Sequence, residues 1–302
     1  MRALTAARPL FSDLPRLGRS WLPPYSFKAF ASASSSSSSD LNLRNQSRGG
    51  LPRFFSDDLP SRKAYPLSLS LVYLFLYLNM CSEFWHMAKV LRLKPDDRVE
   101  LFNGKGGLVE GCIQSIDKTG VDFVAQEDQK LILPQGIQWQ VFAAFGTLKG
   151  GRADWLIEKC TELGASSVTP LLTERSSIIS ENRVDRLERV SFAAAKQCQR
   201  LHQMVLSPPI KFGTLLDHMS KSELCLVATA EATPLLTALN SSAKESSGLL
   251  IVGPEGDFTK KEVEMMLEAG GTAVGLGPHR LRVETATIAL LATLVMWSDS
   301  QV

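Results

Sequence analysis

Three short stretches combine glycines with ionisable side chains in patterns that suit ligand chemistry. Gly253-Pro254-Glu255-Gly256 directly follows the apolar run Leu249–Val252. Glycine lets a backbone come close to a ligand, and in open α/β sheets ligands sit at the carboxyl ends of strands. An ordinary tight turn from strand to helix accounts for the same four residues equally well. The second stretch, Gly275 to Ala286, holds Gly275, Gly277, His279, Arg280, Arg282, Glu284 and Thr285. Backbone donors and acceptors in such a loop suit an adenine or a carboxylate. Arg282 suits an anion, and Glu284 suits a hydrogen bond near the start of the following helix. A solvated loop ending in a helix cap is the alternative. If the two glycine loops close neighbouring strands, both line one pocket. The third stretch, Lys149-Gly150-Gly151-Arg152, opens a helix carrying Lys159 and Glu162. Its basic start suits phosphate, although charges at helix ends are commonly solvated or serve the helix dipole. No GxGxxG follows a strand, and neither a GxxxxGK[ST] loop nor a GxSxG elbow is present. A dinucleotide enzyme of the usual kind, a P-loop protein and a serine hydrolase are therefore unsupported.

These loops need a scaffold, and the chain from Val141 onward supplies one. Val141–Thr147, Val168–Leu172, Leu224–Ala228 and Leu249–Val252 read as strands. Between and after them, Arg152–Leu163, Asn182–Arg200, Thr259–Ala269 and Thr285–Trp297 read as helices. Gly164 suits a helix stop, and Thr259 with Glu262 forms a capping-box pattern. Strands alternating with helices imply a parallel sheet covered on both faces.

The preceding segment, 49–140, reads as a small β-rich domain. Arg98–Phe102, Leu108–Ile116 and Val121–Ala125 are short strand-like runs separated by the turn signals Asn103-Gly104, Gly106-Gly107 and Lys118-Thr119-Gly120. That spacing suggests a barrel. Within it, Ala64 to Met80 carries no charge. The run falls short of the roughly 20 apolar residues of a membrane helix. Leu67, Leu69 and Leu71 alternate with Ser68 and Ser70 as in a buried strand, and sequence from an alternative transcript is a third reading.

Residues 1–48 are rich in Arg, Ala and Ser, poor in acids, and contain the run Ser34 to Ser39, as in an organelle transit peptide. The serine load favours chloroplast over mitochondrion, and a plain disordered tail is the alternative. This stretch carries seven basic and two acidic side chains, a balance of +5. The whole chain is +2, which leaves −3 for the rest. A globally basic RNA-coating protein is thereby excluded, and RNA binding by the folded part requires a local basic face. The hydrophobic share of 44% suffices to fill real cores. Five scattered cysteines without CxxC spacing and four histidines without ligand spacing argue against a disulfide scaffold or a metal site.

Taken together, LKGGRADWLIEKCTELGA (148–165), PLLTERS (170–176), AAAKQCQR (193–200), IVGPEGDF (251–258) and LGPHRLRVETATIALLA (276–292) resemble the RsmE family. These are the 16S rRNA uridine N3-methyltransferases of the SPOUT superfamily. LPRFF (51–55) and FWHMAKVLRLKPDDRVELFNGKGG (84–107) extend the resemblance over nearly all of the chain beyond residue 48. The resemblance implies a PUA-like RNA-binding β-barrel over 49–140 and a trefoil-knotted α/β methyltransferase domain over 141–302. It also implies a homodimer, S-adenosylmethionine as cofactor, and small-subunit ribosomal RNA as partner, with no metal and no membrane. The cofactor would touch Gly253, Glu255, Gly256, Leu276, Gly277, Leu281 and Arg282. Arg282, Glu284 and Thr285 would sit nearest the reacting base, and Arg53, His86, Lys89, Arg92, Lys149 and Arg152 would meet RNA. The chain departs from the family pattern at Asp257, where Gly is frequent, at His279, where Arg is frequent, and at Lys196, where Glu is common. The largest departure is Ala64–Ser82, which replaces a short polar strand with apolar residues; an alternative transcript is the favoured explanation.

The implied reaction moves a methyl group from a sulfonium to N3 of a uridine. That nitrogen must lose a proton, so a cation or oriented dipoles must stabilise the resulting anion, and a base or water must take the proton. Arg282 fits the first task, Glu284 or Glu255 the second, and positioning supplies most of the rest. A non-catalytic RNA-binding or ribosome-assembly factor that retains the fold is the alternative from another class.

Overall fold

The computed structural model describes residues 50–60, 75–76, 82–117, 120–176, 179–230, 232–239 and 246–300. The transit-peptide reading, and the Leu67–Leu71 alternation, fall outside these residues. All of the described residues belong to one unit, Asn42–Val302.

The first sheet contains β1 (Arg53–Phe55), β2 (Phe75–Leu76), β3 (Arg98–Phe102), β4 (Gly107–Ile116), β5 (Val121–Ala125) and β6 (Lys130–Leu131), in the order β1-β3-β4-β5-β2 with β6 beside β4. Only β1 and β3 pair parallel. Of the charge-free run, Phe75–Leu76 is described, and it pairs with β5. The turn read at Asn103-Gly104 forms: Asn103 Oδ1 accepts from the N–H groups of Lys105 and Gly107. Burial alternates along β4, as one buried sheet face requires. That face joins Phe54, Met87, Val99, Leu101, Ile113 and Phe123 in one core. Before β3, α1 (Ser82–Trp85) runs into a π-helical turn over His86–Val90.

The second sheet is parallel throughout, in the order β10-β8-β7-β12-β11-β13, with β9 beside β8. Its elements are β7 (Gln138–Ala143), α2 (Arg152–Glu162), β8 (Ser167–Leu172), α3 (Glu181–Gln197), β9 (Val205–Leu206), β10 (Ile210–Lys211), α4 (Phe212–Met219), β11 (Cys225–Ala228), α5 (Leu235–Leu239), β12 (Ser247–Val252), α6 (Lys260–Glu268), β13 (Thr272–Val274) and α7 (Val283–Asp299). Successive residues of the central strands feed opposite faces. Val141, Leu226 and Leu250 pack with α2, α3, α5 and α7. Phe142, Val227, Leu249 and Ile251 pack with α4 and α6. The first parallel strand begins at Gln138 and ends at Ala143, so the strand expected over Val141–Thr147 is displaced toward the N-terminus. Residues 144–151 are thereby freed as a loop at the carboxyl edge. Gly164 takes φ 94° after α2, the left-handed stop that its position suggested.

Candidate active site

After β7 the chain crosses to β8 on one side of the sheet; after β12 it passes β11 to β13 on the other. The carboxyl ends of β7 and β12 therefore form the crevice where an open α/β sheet binds ligands. Three loops serve this edge: 144–151 after β7, 253–258 after β12 and 275–282 after β13.

The 253–258 loop is braced from below. The capping box on α6 is complete: Thr259 Oγ1 accepts from the Glu262 N–H, and Glu262 Oε2 accepts from the Thr259 N–H at 2.8 Å. The other Glu262 oxygen accepts from the Glu174 N–H at 3.0 Å, which anchors the turn after β8. From that turn, Arg175 Nη1 donates to the Gly256 carbonyl at 2.8 Å. Asp257 takes φ 58°, a left-handed conformation that favours glycine. Its carboxylate is held by Arg280 Nη2 at 3.1 Å, and the same nitrogen donates to the Glu255 carbonyl at 2.9 Å. The Asp257 departure is thus held by Arg280, the chain neighbour of the His279 departure.

The expectation that the two glycine loops close neighbouring strands is corrected, because β11 lies between β12 and β13. The loops meet nonetheless, through Arg280. In the 275–282 loop, Gly277 takes φ 106° with open space where a Cβ would stand. Leu276 and Leu281 are part-exposed there, and Arg282 caps α7 in an extended conformation.

The 144–151 loop is held by Arg183 of α3, which donates to the carbonyls of Gly146 and Leu148. Gly150 and Gly151 both take left-handed backbones and deliver Arg152 at the first position of α2. Arg152 Nε donates to Glu284 Oε1 at 2.8 Å and its Nη2 to Glu284 Oε2 at 3.1 Å. The same Nη2 donates to Glu255 Oε1 at 2.6 Å. Arg152, read as a phosphate ligand, is therefore engaged by two carboxylates instead. They bring the third sequence stretch into contact with the first two. Burial alone would raise the Glu284 carboxyl. The Arg152 hydrogen bonds, its own backbone N–H and the charges of Arg152 and Arg282 outweigh this and hold it below the usual carboxylate range. The Arg282 side chain is exposed and forms no ion pair among the described residues.

Glu284 is buried and Thr285 exposed in the first turn of α7. Lys149 is exposed in the loop before α2. Arg53, His86, Lys89 and Arg92 lie instead with the first sheet. Arg53 is paired with Glu100, His86 packs edge-on to Phe54, and Lys89 and Arg92 are exposed. Arg175 and Arg183 were not singled out from sequence; PLLTERS was visible as a motif, but the carbonyl partner of Arg175 lies 81 residues away. No cluster that could hold a metal occurs among the described residues, and none of their helices is long and apolar enough to cross a membrane.

A parallel α/β sheet with three loops tied together at its switch point, preceded by a small β-rich unit, defines a class. A family model described as RNA methyltransferase domain matches residues 136–295, and one described as RNA methyltransferase PUA domain matches 82–126. The chain is 31% identical over 225 residues to ribosomal RNA small subunit methyltransferase E of Bacillus subtilis, covering 70% of this chain and 86% of that one. To the protein of the same name from Synechocystis it is 30% identical, covering 69% of each. The chain belongs to the ribosomal RNA small subunit methyltransferase E family. Among solved structures, that of the Neisseria gonorrhoeae enzyme of this name bound to S-adenosyl methionine superposes with a TM-score of 0.62 at 25% identity, covering 82% of this chain and 98% of that one. A probable rRNA-methyltransferase from Porphyromonas gingivalis gives 0.64 at 25% identity, covering 83% and 100%.

Proposed function

We propose that this protein uses S-adenosylmethionine to methylate N3 of a specific uridine in small-subunit ribosomal RNA. The observation that carries the reading is the joint at the switch point. Arg152 occupies Glu284 and Glu255, while Arg282, two residues before Glu284 at the cap of α7, has no ion-pair partner among the described residues. Family membership supports the reaction class, and the S-adenosyl methionine bound to the Neisseria gonorrhoeae enzyme supports the cofactor.

The residues fit such a cofactor. Gly277 leaves open space beside its backbone, Leu276 and Leu281 offer part-exposed apolar surface, and Glu255 offers a carboxylate to a sulfonium. Gly253, Glu255, Gly256, Leu276, Gly277, Leu281 and Arg282 would hold it. When bound, it supplies an electrophilic methyl group. Arg282 stabilises the charge that develops as the uridine loses its N3 proton. Glu284 is a poor acceptor for that proton, because its carboxylate is already engaged bidentately by Arg152 and held below the ordinary range. Glu255, about half exposed and bound to Arg152 through one oxygen only, takes the proton on its other oxygen or through a water there. Thr285 sits at the rim and helps place the base.

The reading includes a barrel and a trefoil knot, a homodimer, and the partition into 1–48, 49–140 and 141–302. It also includes delivery by residues 1–48 to an organelle, chloroplast before mitochondrion. RNA would be met by Lys89, Arg92, His86 and Lys149, whereas Arg53 is committed to Glu100.

The test uses the protein, radiolabelled S-adenosylmethionine and small ribosomal subunits lacking the modification, followed by digestion of the RNA. N3-methyluridine in the digest is the expected result. Cofactor binding without transfer would point to a binding-only assembly factor. Arg282→Ala is expected to abolish transfer while leaving the oligomeric state unchanged by sedimentation; normal turnover in that variant would remove Arg282 from the mechanism.

A further inference from the structure

Arg152 is placed against the interest of its own helix. It opens α2, where the dipole is positive and a cation is unfavourable, directly after two left-handed glycines. Its compensation comes from outside the helix, in Glu284 and Glu255. Glu284 is 7% exposed and needs a partner for both oxygens, since a buried carboxylate without one is costly. Two guanidinium nitrogens meet the two oxygens, a fork-to-fork fit that an ammonium cannot reproduce.

A second guanidinium stands next to this pair. Arg282 lies two residues before Glu284, at the cap of the same helix, and its charge already acts on the Glu284 carboxyl. Its side chain is exposed. Glu284, the carboxylate on which that charge acts, is held by Arg152, as is Glu255.

We propose that Arg152 is a positioning residue whose task is to occupy Glu284 so that Arg282 stays available to the substrate. Without Arg152, Arg282 swings onto Glu284 and is lost to the anion it should stabilise. Removing the Glu284 charge as well releases Arg282 again. The effect of the two changes together is therefore smaller than that of Arg152 alone, the reverse of what independent contributions give. The role assigned to Arg282 rests on the proposed reaction; the competition between the two arginines does not.

The test is made on the full chain with phenylglyoxal, which labels accessible arginines, read peptide by peptide by mass spectrometry without cofactor or RNA. In the unmodified protein Arg282 is expected to label readily and Arg152 slowly. In Arg152→Met, labelling of Arg282 is expected to slow by about 10-fold, the scale of one charge-assisted hydrogen bond. In Arg152→Met with Glu284→Gln it is expected to return toward the starting rate. Methyl transfer should follow the same order, falling in the single variant and partly recovering in the double. Unchanged labelling of Arg282 in Arg152→Met overturns the proposal, even if transfer is lost. Should that variant not fold, Arg152→Gln replaces it; its neutral amide leaves the Glu284 charge uncompensated, so Arg282 labelling should again slow, and no change would again overturn the proposal. If labelling behaves as expected but the unmodified protein transfers no methyl group, the competition stands and the proposed reaction falls.

Discussion

Glu284 is a buried carboxylate whose charge is retained by its surroundings. Burial opposes ionisation, but the Arg152 fork, the helix N–H and the charges of Arg152 and Arg282 favour it more. A carboxyl depressed in the folded state contributes stability above its unfolded pKa. That contribution is lost as pH falls through the lower folded value. Glu284→Gln is therefore expected to lower Tm at pH 7, with the difference shrinking as pH falls below about 4, where the unfolded carboxyl takes up its proton while the folded one still resists it. A Tm difference that does not change with pH would argue that Glu284 acts through packing alone. None of the three loops at this edge contains a cysteine. Cys160 is fully buried, and burial pushes its thiol up to about 12, far from nucleophilic at neutral pH.

At the scale of elements, the β7–β12 pair is the hinge of the site, since the crevice opens at its carboxyl end. The opposite end of the pair is closed by Trp139, Gly248 and Ser298. Trp139 is 1% exposed, its Nε1 donates to Ser298 Oγ at 3.0 Å, and Gly248 lies opposite it in register. A Cβ at Gly248 would come within 3.0 Å of three ring carbons of that indole. The ring cannot retreat without breaking its hydrogen bond. Gly248→Ala is expected to cost about 1–3 kcal/mol by overpacking. Ser298→Ala leaves a buried N–H unpaired and is expected to cost a similar ~1–3 kcal/mol. Urea unfolding measures both, and a neutral Gly248→Ala would mean that the strand pair slides to accommodate the methyl group.

At the scale of the molecule, the two sheets are joined by backbone as well as side chains. The Gly106 N–H donates to the Leu201 carbonyl at 2.8 Å, and the Gln203 N–H to the Gly104 carbonyl at 2.7 Å. A ring nitrogen of His202 lies 2.9 Å from the Ile132 carbonyl. Beside them, Phe55 meets Phe192 edge-on, with Lys196 Nζ 4.4 Å and 4.5 Å from the two ring centroids. A glutamate at 196, common in the family pattern, would place a negative charge on those ring faces; the lysine found here is attracted to them. The joint fixes the exposed Lys89 and Arg92 relative to the crevice. Because the chain beyond residue 48 carries a balance of −3, RNA affinity must come from a few local contacts. Three or four such contacts to single-stranded RNA give an expected slope of about −2 to −3 in log affinity against log salt concentration. Lys89→Ala or Arg92→Ala should each reduce that slope by about 0.7. A slope unaffected by both would place the RNA on another face.

Local signals in the sequence determined much of this protein. The 2-residue period of β4, the unbroken apolar runs of β11 and β12, the stop at Gly164 and the capping box at Thr259 and Glu262 each rest on interactions spanning a few residues. The glycine loops and the motif order could therefore be read before any coordinates. The short elements β9, β10, α4 and α5 were not legible; β9 and β10 are two-residue strands defined by pairing with β8 rather than by their own pattern. Tertiary structure alone decided that β11 separates β12 from β13, and that Arg152 turns to Glu284 and Glu255 rather than to phosphate. Those partners lie 132 and 103 residues along the chain. A charge in sequence shows what it can bind, but its partner is chosen by proximity in the folded sheet and by how much water the fold removes around it.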